Sequence, residues 1–231
     1  MAAAYGKLPI SFEPNLGQTD ARFNFLARGN GYTLLLTPTG ATLGLSGTKK
    51  TSRSQMTIEL VRGNSTAQAE GLEAMPGKSN YLLGNDRAKW HTNVANYAKV
   101  RYRDVYRGVD MVYYGNQRQL EYDLVVSPGA DPSVIQLAFS GVQSMRIGPE
   151  GDLLLRVKDG EVRQHKPVVY QESDGTRQAV EGQYVRTGNR SVGLVCPEES
   201  APRHLAVDAN APMGKLEPAK APESRFPNSY R

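Results

Sequence analysis

Two carboxylates, Glu121 and Asp123, have the spacing in this sequence that best suits catalysis. They stand two positions apart in an alternating run, so both lie on one face of a predicted strand, with Cα atoms about 7 Å apart. Glycosidases use such a carboxylate pair at the scissile bond. The simpler interpretation is a solvated charge ladder, because a basic strand is predicted nearby. A glycoside hydrolase-type enzyme that uses this pair is therefore the second of two alternative functions that the sequence leaves open.

Tyrosines form the densest aromatic cluster. Six of the 12 lie between positions 97 and 122, at Tyr97, Tyr102, Tyr106, Tyr113, Tyr114 and Tyr122. Alternation places Tyr102 and Tyr122 on apolar faces and predicts that they are core residues. The other four, with Arg101 and Arg103, are the candidate ligand-binding residues, because exposed rings on a rigid sheet stack on sugars or bases. Ordinary sheet packing is the simpler interpretation. A carbohydrate-binding module is the first alternative function.

Other chemistries find little support. The Gly77-Lys78-Ser79 run has Leu72 where a phosphate-binding loop needs its first glycine. The sequence has three histidines but no Gly-x-Ser-x-Gly motif that would supply a nucleophile for one of them to activate. The single cysteine, Cys196, excludes an intrachain disulfide. No Asp-x-Asp-x-Asp-Gly calcium loop occurs. The sequence therefore predicts no catalytic residue, no cofactor and no metal site.

Composition limits the classes that remain. The 231 residues carry 28 basic and 23 acidic side chains, and the net charge of +5 is spread along the chain. No nucleic-acid partner is expected, because such proteins concentrate their charge in a patch. With 39% hydrophobic and 22% charged residues the chain is expected to fold. No apolar run approaches the roughly 18 residues of a membrane-spanning helix.

Turn chemistry and two-residue periodicity indicate an all-β protein. The chain has 23 glycines and 14 prolines, many of them between short apolar runs. Residues 32–37 and 41–45 flank a turn and predict a hairpin, and residues 56–61 predict a further strand. Helical signals amount to single turns, one capped by Asn85 and one by Asp131. The predicted fold is antiparallel and β-sandwich-like, with short helical turns only.

The strongest pattern runs through residues 97–126. Lys99, Arg101 and Arg103 alternate with apolar residues, and the run Leu120, Tyr122, Leu124 and Val126 alternates with Gln119, Glu121 and Asp123. This pattern predicts a three-stranded meander whose solvent face carries a basic strand and an acidic strand, with Asp110 between them.

Several long stretches resemble a known family. The sequence is similar to the uncharacterised domain that stands ahead of SBBP-type β-propeller repeats in large secreted or cell-surface bacterial proteins. The similar stretches are Ile10–Asn15, Gly17–Asp20, Phe25–Tyr32, Asn80–Asp86, Tyr97–Tyr106, Gly108–Asp110, Tyr113–Asn116, Leu120–Asp123, Pro128–Pro132 and Lys166–Gln171. The resemblance implies an all-β, extracytoplasmic, non-catalytic module with a structural or adhesive role. Its implied partners are the propeller repeats or another surface protein, and a glycan under the first alternative.

The chain is expected to divide into three parts. Residues 1–7 are expected to be flexible, 8–195 to form the sandwich-like domain, and 196–231 to be a proline-rich, largely disordered tail with one short strand at His204–Asp208. A division of the domain into two subdomains near 127–135 stays open. The family implies a secreted or cell-surface location. The start has no signal peptide, which also leaves a cytoplasmic location or a truncated start open.

Overall fold

The fold consists almost entirely of strands. The computed structural model describes residues 10–29, 32–46, 53–82, 84–116, 119–173, 176–196 and 205–212. The strands are β1 (Glu13–Pro14), β2 (Phe25–Gly29), β3 (Tyr32–Thr37), β4 (Gly40–Ser46), β5 (Arg53–Leu60), β6 (Ala69–Tyr81), β7 (His91–Tyr106), β8 (Val109–Asn116), β9 (Gln119–Val126), β10 (Gln136–Ser140), β11 (Ser144–Ile147), β12 (Leu153–Val157), β13 (Gly160–Gln164), β14 (Val168–Ser173), β15 (Thr176–Val180), β16 (Gln183–Arg186), β17 (Ser191–Val195) and β18 (Leu205–Pro212). Antiparallel pairing throughout confirms the predicted fold class.

Helical structure within the described residues is confined to single turns at Arg87–Lys89 and Pro132–Val134. None of it is long and apolar enough to cross a membrane. The Asp131 cap is as predicted, since its side chain accepts from the backbone N–H of Ser133. The Asn85 cap is wrong: Asp86 caps the first turn, with its carboxylate accepting from the backbone N–H of Ala88.

An eight-stranded sheet contains the predicted hairpin. Its order is β1-β2-β3-β4-β5-β10-β17-β16, and we call it the N-terminal sheet. The turn between β3 and β4 requires Gly40, whose φ is +156° and where an added Cβ would lie 2.0 Å from the carbonyl oxygen of Ile58. Because such an approach is sterically forbidden, a larger residue there would push β4 away from β5.

A seven-stranded sheet contains the predicted meander. Its order is β15-β14-β18-β9-β8-β7-β6, and we call it the meander sheet. Leu120, Tyr122, Leu124 and Val126 are at most 1% exposed, which confirms the apolar face of β9. A small sheet of β11, β12 and β13 completes the fold.

The last strand enters the middle of the meander sheet. All eight residues of β18, Leu205–Pro212, pair with β9, and four of them also pair with β14. A strand is therefore present where His204–Asp208 was predicted to form one. The remaining tail beyond Cys196, and residues 1–7, lie outside the described residues. Both large sheets contain strands from either side of residues 127–135, because β5 pairs with β10 and β9 pairs with β18.

The two large sheets share one core. Buried side chains from both of them, and from the small sheet, form a single hydrophobic cluster. Tyr102, Tyr113 and Tyr122 lie in adjacent strands of the meander sheet, with neighbouring ring centroids 6.1 Å apart. The amide of Gln164, which is fully buried, donates to the hydroxyls of Tyr122 and Tyr184. Tyr102 and Tyr122 are thus core residues, as predicted.

The charge pairing on the meander sheet differs from the prediction. Arg101 and Arg103 both pair with Glu70, and Lys99 lies 2.6 Å from Glu73. These partners stand on β6, whereas β8 separates the basic strand β7 from β9. The expected ladder between basic and acidic strands is wrong because the sequence pattern did not reveal that β6 would pair with β7.

Candidate functional site around the loop after strand β1

A carboxylate on β1 ties the two large sheets together. Glu13 accepts a hydrogen bond from the hydroxyl of Ser79 at 2.8 Å and another from the hydroxyl of Tyr81. The strand β1 is an edge of the N-terminal sheet, and β6, which carries both hydroxyls, is an edge of the meander sheet. The preceding residue, Phe12, exchanges two backbone hydrogen bonds with Tyr97 on β7. These contacts close one side of the sandwich.

The surroundings of Tyr81 keep its phenol protonated. Burial and the hydrogen bond to Glu13 raise the pKa of Tyr81 to about 12. The guanidinium of Arg28 lies 5.3 Å from the centre of the Tyr81 ring. A cation over a ring face is favourable, so Arg28 on β2 adds a further contact between the two sheets.

The loop after β1 is organised around one amide side chain. The Asn15 side-chain NH₂ donates to the carbonyl oxygens of Thr19, Asp20 and Phe23, and its Oδ1 accepts from the backbone N–H groups of Gly17 and Thr19. An asparagine can form such a turn because its amide mimics a peptide group. Asn15 thus fixes the course of the whole loop from residue 15 to residue 24.

Two surface depressions border this loop. One, with a volume of about 650 Å³, lies between the loop and residues 65–69. The other, with a volume of about 680 Å³, lies between residues 19–23 of the loop and the outward face of β3, β4 and β5. We call the second depression the trough. Thr19 and Phe23 line both, so the loop forms a wall between them.

Two of the four candidate tyrosines lie in the core instead of at the surface. Tyr113 is 1% exposed, and burial raises its pKa. Tyr106 is 9% exposed, and its hydroxyl donates towards the carbonyl oxygens of Val61 and Gln136. The ring of Tyr113 is therefore enclosed by the packing between the two sheets, whereas the small exposed part of Tyr106 borders a surface depression lined by residues 107–108 and 127–131.

The other candidate ligand residues are engaged at the surface. Tyr97 is partly buried, its ring meets Phe25 edge-on at 6.2 Å, and Gly71 lies directly against it. The hydroxyl of Tyr114 donates to Asp123 at 2.9 Å. Arg101 and Arg103 converge on Glu70. The structure therefore does not bring the six predicted residues together in one ligand-binding surface.

Most of the chain, including these contacts, matches one known family. A family model described as a domain of unknown function, DUF7948, matches residues 12–208. The chain belongs to the DUF7948 family. No curated protein and no solved structure matches it. The DUF7948 match begins one residue before Glu13 and ends within β18, so it spans both the contact that closes the sheets and the strand that completes the meander sheet.

The carboxylate pair of this DUF7948 domain is not a solvated ladder. Glu121 is 5% exposed, and Asp123 accepts the hydroxyl of Tyr114. They lie on β9 between β8 and β18, and neither lines the trough or the depression beside it. The predicted exposure of Glu121 is wrong, since this side chain is buried although it lies on the face of β9 opposite Leu120 and Tyr122.

Two further titratable groups of the DUF7948 domain, Asp152 and Cys196, have structural surroundings. Asp152, which is 8% exposed, lies 3.4 Å from Nδ1 of His165, and it also accepts from Arg163 and from the backbone N–H of Lys166. Cys196 is partly buried, and this burial raises the pKa of its thiol. Among the described residues, no three acidic, histidine or cysteine side chains come together as a possible metal site.

Sequence reasoning missed Glu13, Asn15 and the trough. For Asn15 a local signal existed, because asparagine two positions before glycine is typical of a turn. For Glu13 none existed, since Ser79 and Tyr81 are distant in sequence. The trough depends on where the loop folds over the sheet, which periodicity does not encode.

Proposed function

We propose that this DUF7948 domain is a non-catalytic structural or adhesive module of a bacterial surface or secreted protein. The observation that carries the proposal is that polar side chains in the stretches similar to the family form hydrogen bonds within the domain. Glu13 and Asn15 both bond groups of the domain itself, and so do Asp104 and Asp131, which accept backbone N–H groups. Polar side chains that hold the backbone of their own domain in place have a structural role. Such a role suits a module that acts by contact with another molecule.

Strand β16, which ends the N-terminal sheet among the described residues, supports a contact with another module. Val185 on β16 and Val195 on β17 are 40% and 45% exposed. Val185 pairs with Gly193, two residues from Val195, so both valines lie on the same face of the sheet. Exposed apolar residues grouped at a sheet edge favour docking of a partner. The partner we propose is the propeller repeat array or another surface protein.

The location is tested by protease treatment of intact cells of the source organism. The module is expected to be degraded from outside, as detected with an antibody against the purified domain, while a cytoplasmic marker stays intact. Protection of the module until the cells are lysed would contradict the proposed location.

The non-catalytic character is tested separately. The purified chain is incubated with a panel of glycoside substrates, next to Glu121→Gln and Asp123→Asn. No turnover is expected from any of the three. Turnover by the unaltered chain that both substitutions abolish would establish the hydrolase instead.

A further inference from the structure

We infer that the trough beside the loop after β1 is a binding site for a neutral oligosaccharide. This inference rests on the proposed adhesive function and names the ligand class for it. The trough has a volume of about 680 Å³, within the range of known small-ligand sites. It lies on the outward face of the N-terminal sheet, away from the core that the tyrosine cluster occupies.

The floor of the trough is two cross-strand rows with a gap. Thr33, Gly44 and Gln55 are direct neighbours on β3, β4 and β5, and Leu35 and Thr42 form the next row of the lining. Gly44 leaves a notch in the first row, because a Cβ there would meet nothing closer than 3.7 Å. The notch therefore has room for an added group, and it is flanked by a hydroxyl and an amide.

The floor offers the hydrogen-bonding groups that sugars need. Hydroxyls and amides both donate and accept, as do the hydroxyls of a sugar. Thr42 lines the trough, and its hydroxyl lies 3.1 Å from that of Thr57, which stands outside the lining. Gln55 is exposed, and its side chain is free to follow a ligand. These groups suit many weak contacts with a polyhydroxylated ligand.

The walls add apolar and charged contacts. Tyr32 lines the trough with its ring set against Gly29, where a Cβ would lie 2.1 Å from the ring. On the loop, the guanidinium of Arg22 lies 4.8 Å from the centre of the Phe23 ring, and its Nε lies 3.7 Å from Asp20. An aromatic residue presents apolar surface to a sugar, while an arginine and a carboxylate bond its hydroxyls.

Charge selects the neutral class of sugar. Among the described residues that line the trough, Asp20 and Arg22 carry the charges, and these are opposite and adjacent. An anionic ligand would meet the carboxylate, and a cationic one would meet the guanidinium. The outward face of the meander sheet, by contrast, carries the ion pairs of Arg101, Arg103 and Lys99. With one pair of adjacent opposite charges in its lining, the trough matches an uncharged polyhydroxylated chain.

Two glycines give a matched pair of variants for the test. Gly44→Val fills the notch, and Gly77→Val adds the same side chain on β6, where nothing lies within 4 Å of an added Cβ. Neither glycine has a positive φ, so both substitutions are expected to fold, which circular dichroism and a thermal melt verify.

The full chain and both variants are applied to an array of neutral oligosaccharides, acidic oligosaccharides and peptides, and the hits are titrated by calorimetry. We expect binding to a neutral oligosaccharide that Gly44→Val weakens at least about tenfold and Gly77→Val leaves unchanged. Arg22→Ala is expected to weaken it too, whereas Arg156→Ala, at an exposed arginine outside the trough lining, is not. No neutral hit, binding confined to acidic sugars or peptides, or equal effects of the two glycine variants would overturn the inference.

The two proposals fail separately. If the chain is found at the cell surface but binds no neutral oligosaccharide, the proposed ligand is refuted and the proposed structural role is retained. If the chain binds such a sugar through the trough but is protected from protease in intact cells, the proposed location is refuted and the proposed ligand is retained.

Discussion

The hydroxyl of Tyr81 donates a hydrogen bond to the carboxylate of Glu13, and this contact joins the edge strands of two different sheets. Exposed strand edges are prone to pair with other chains. By joining β1 to β6, the contact protects an edge of each sheet at the same place.

Replacing Glu13 by alanine should therefore destabilise the fold. The hydroxyls of Ser79 and Tyr81 would lose their common acceptor, and the expected loss in the free energy of unfolding is about 1–3 kcal/mol. Urea denaturation measures this. Glu59→Ala is the matched control, because Glu59 is exposed on β5. Equal stability of the two variants would show that the Glu13 contact contributes nothing.

Asn15→Ala should loosen the loop. Five hydrogen bonds to the backbone are lost, but water reaches several of those groups, so the expected destabilisation is about 1–3 kcal/mol. The clearest readout is limited proteolysis, with new cleavage between residues 15 and 24. Asn85→Ala serves as the control, since Asp86 provides the cap in that turn. If proteolysis of the loop is unchanged, Asn15 does not organise it.

Gly40→Ala should be costly, and Gly77→Ala nearly neutral. The Cβ at position 40 would meet the Ile58 carbonyl at 2.0 Å, whereas nothing lies within 4 Å at position 77. We expect a loss of about 2–4 kcal/mol for Gly40→Ala and less than about 0.5 kcal/mol for Gly77→Ala. A thermal melt of both variants checks the difference. A mild effect at position 40 would mean that the hairpin adjusts without strain.

Alkaline pH should unfold the domain through its tyrosines. Burial raises the pKa of Tyr102, Tyr113 and Tyr122, and burial with the Glu13 contact raises the pKa of Tyr81 to about 12. Below about pH 10 these phenols are protonated in both states, so their contribution to stability is complete. Between about pH 10 and 12 the unfolded state ionises first, so the free energy of unfolding falls as the pH rises.

Phenolate absorbance in the near ultraviolet measures this titration. The four phenols are expected to ionise together with the loss of near-ultraviolet circular dichroism. In Tyr81→Phe, the number of protons released on unfolding should fall by about one. Ionisation of all tyrosines near pH 10 in the folded state would refute their burial.

Two-residue alternation accounts for what the sequence predicted well. Leu120, Tyr122, Leu124 and Val126 are buried because side chains on one face of β9 all meet the core. The same alternation was available for Tyr113, which follows Val109 and Met111 on a buried face. Local pattern therefore determined the fold class and much of the core.

Contacts between distant segments could not be predicted in this way. Alternation shows that Lys99 and Arg101 share a face, but it does not say that β6 supplies their partners. The trough combines the loop at Thr19–Phe23 with β3, β4 and β5, and its shape depends on how Asn15 turns that loop. The pairing of β9 with β18, which arrives from the far end of the described chain, likewise could not be read from local alternation.

The place of β18 has a consequence for biosynthesis. The hairpin of β14 and β15 joins the meander sheet through β18, which is made after every other described strand. While the ribosome is still translating, β9 and β14 each present an unsatisfied backbone to the cytosol or to the translocation machinery. Nascent chains of this domain should therefore need shielding by a chaperone until Pro212 has emerged.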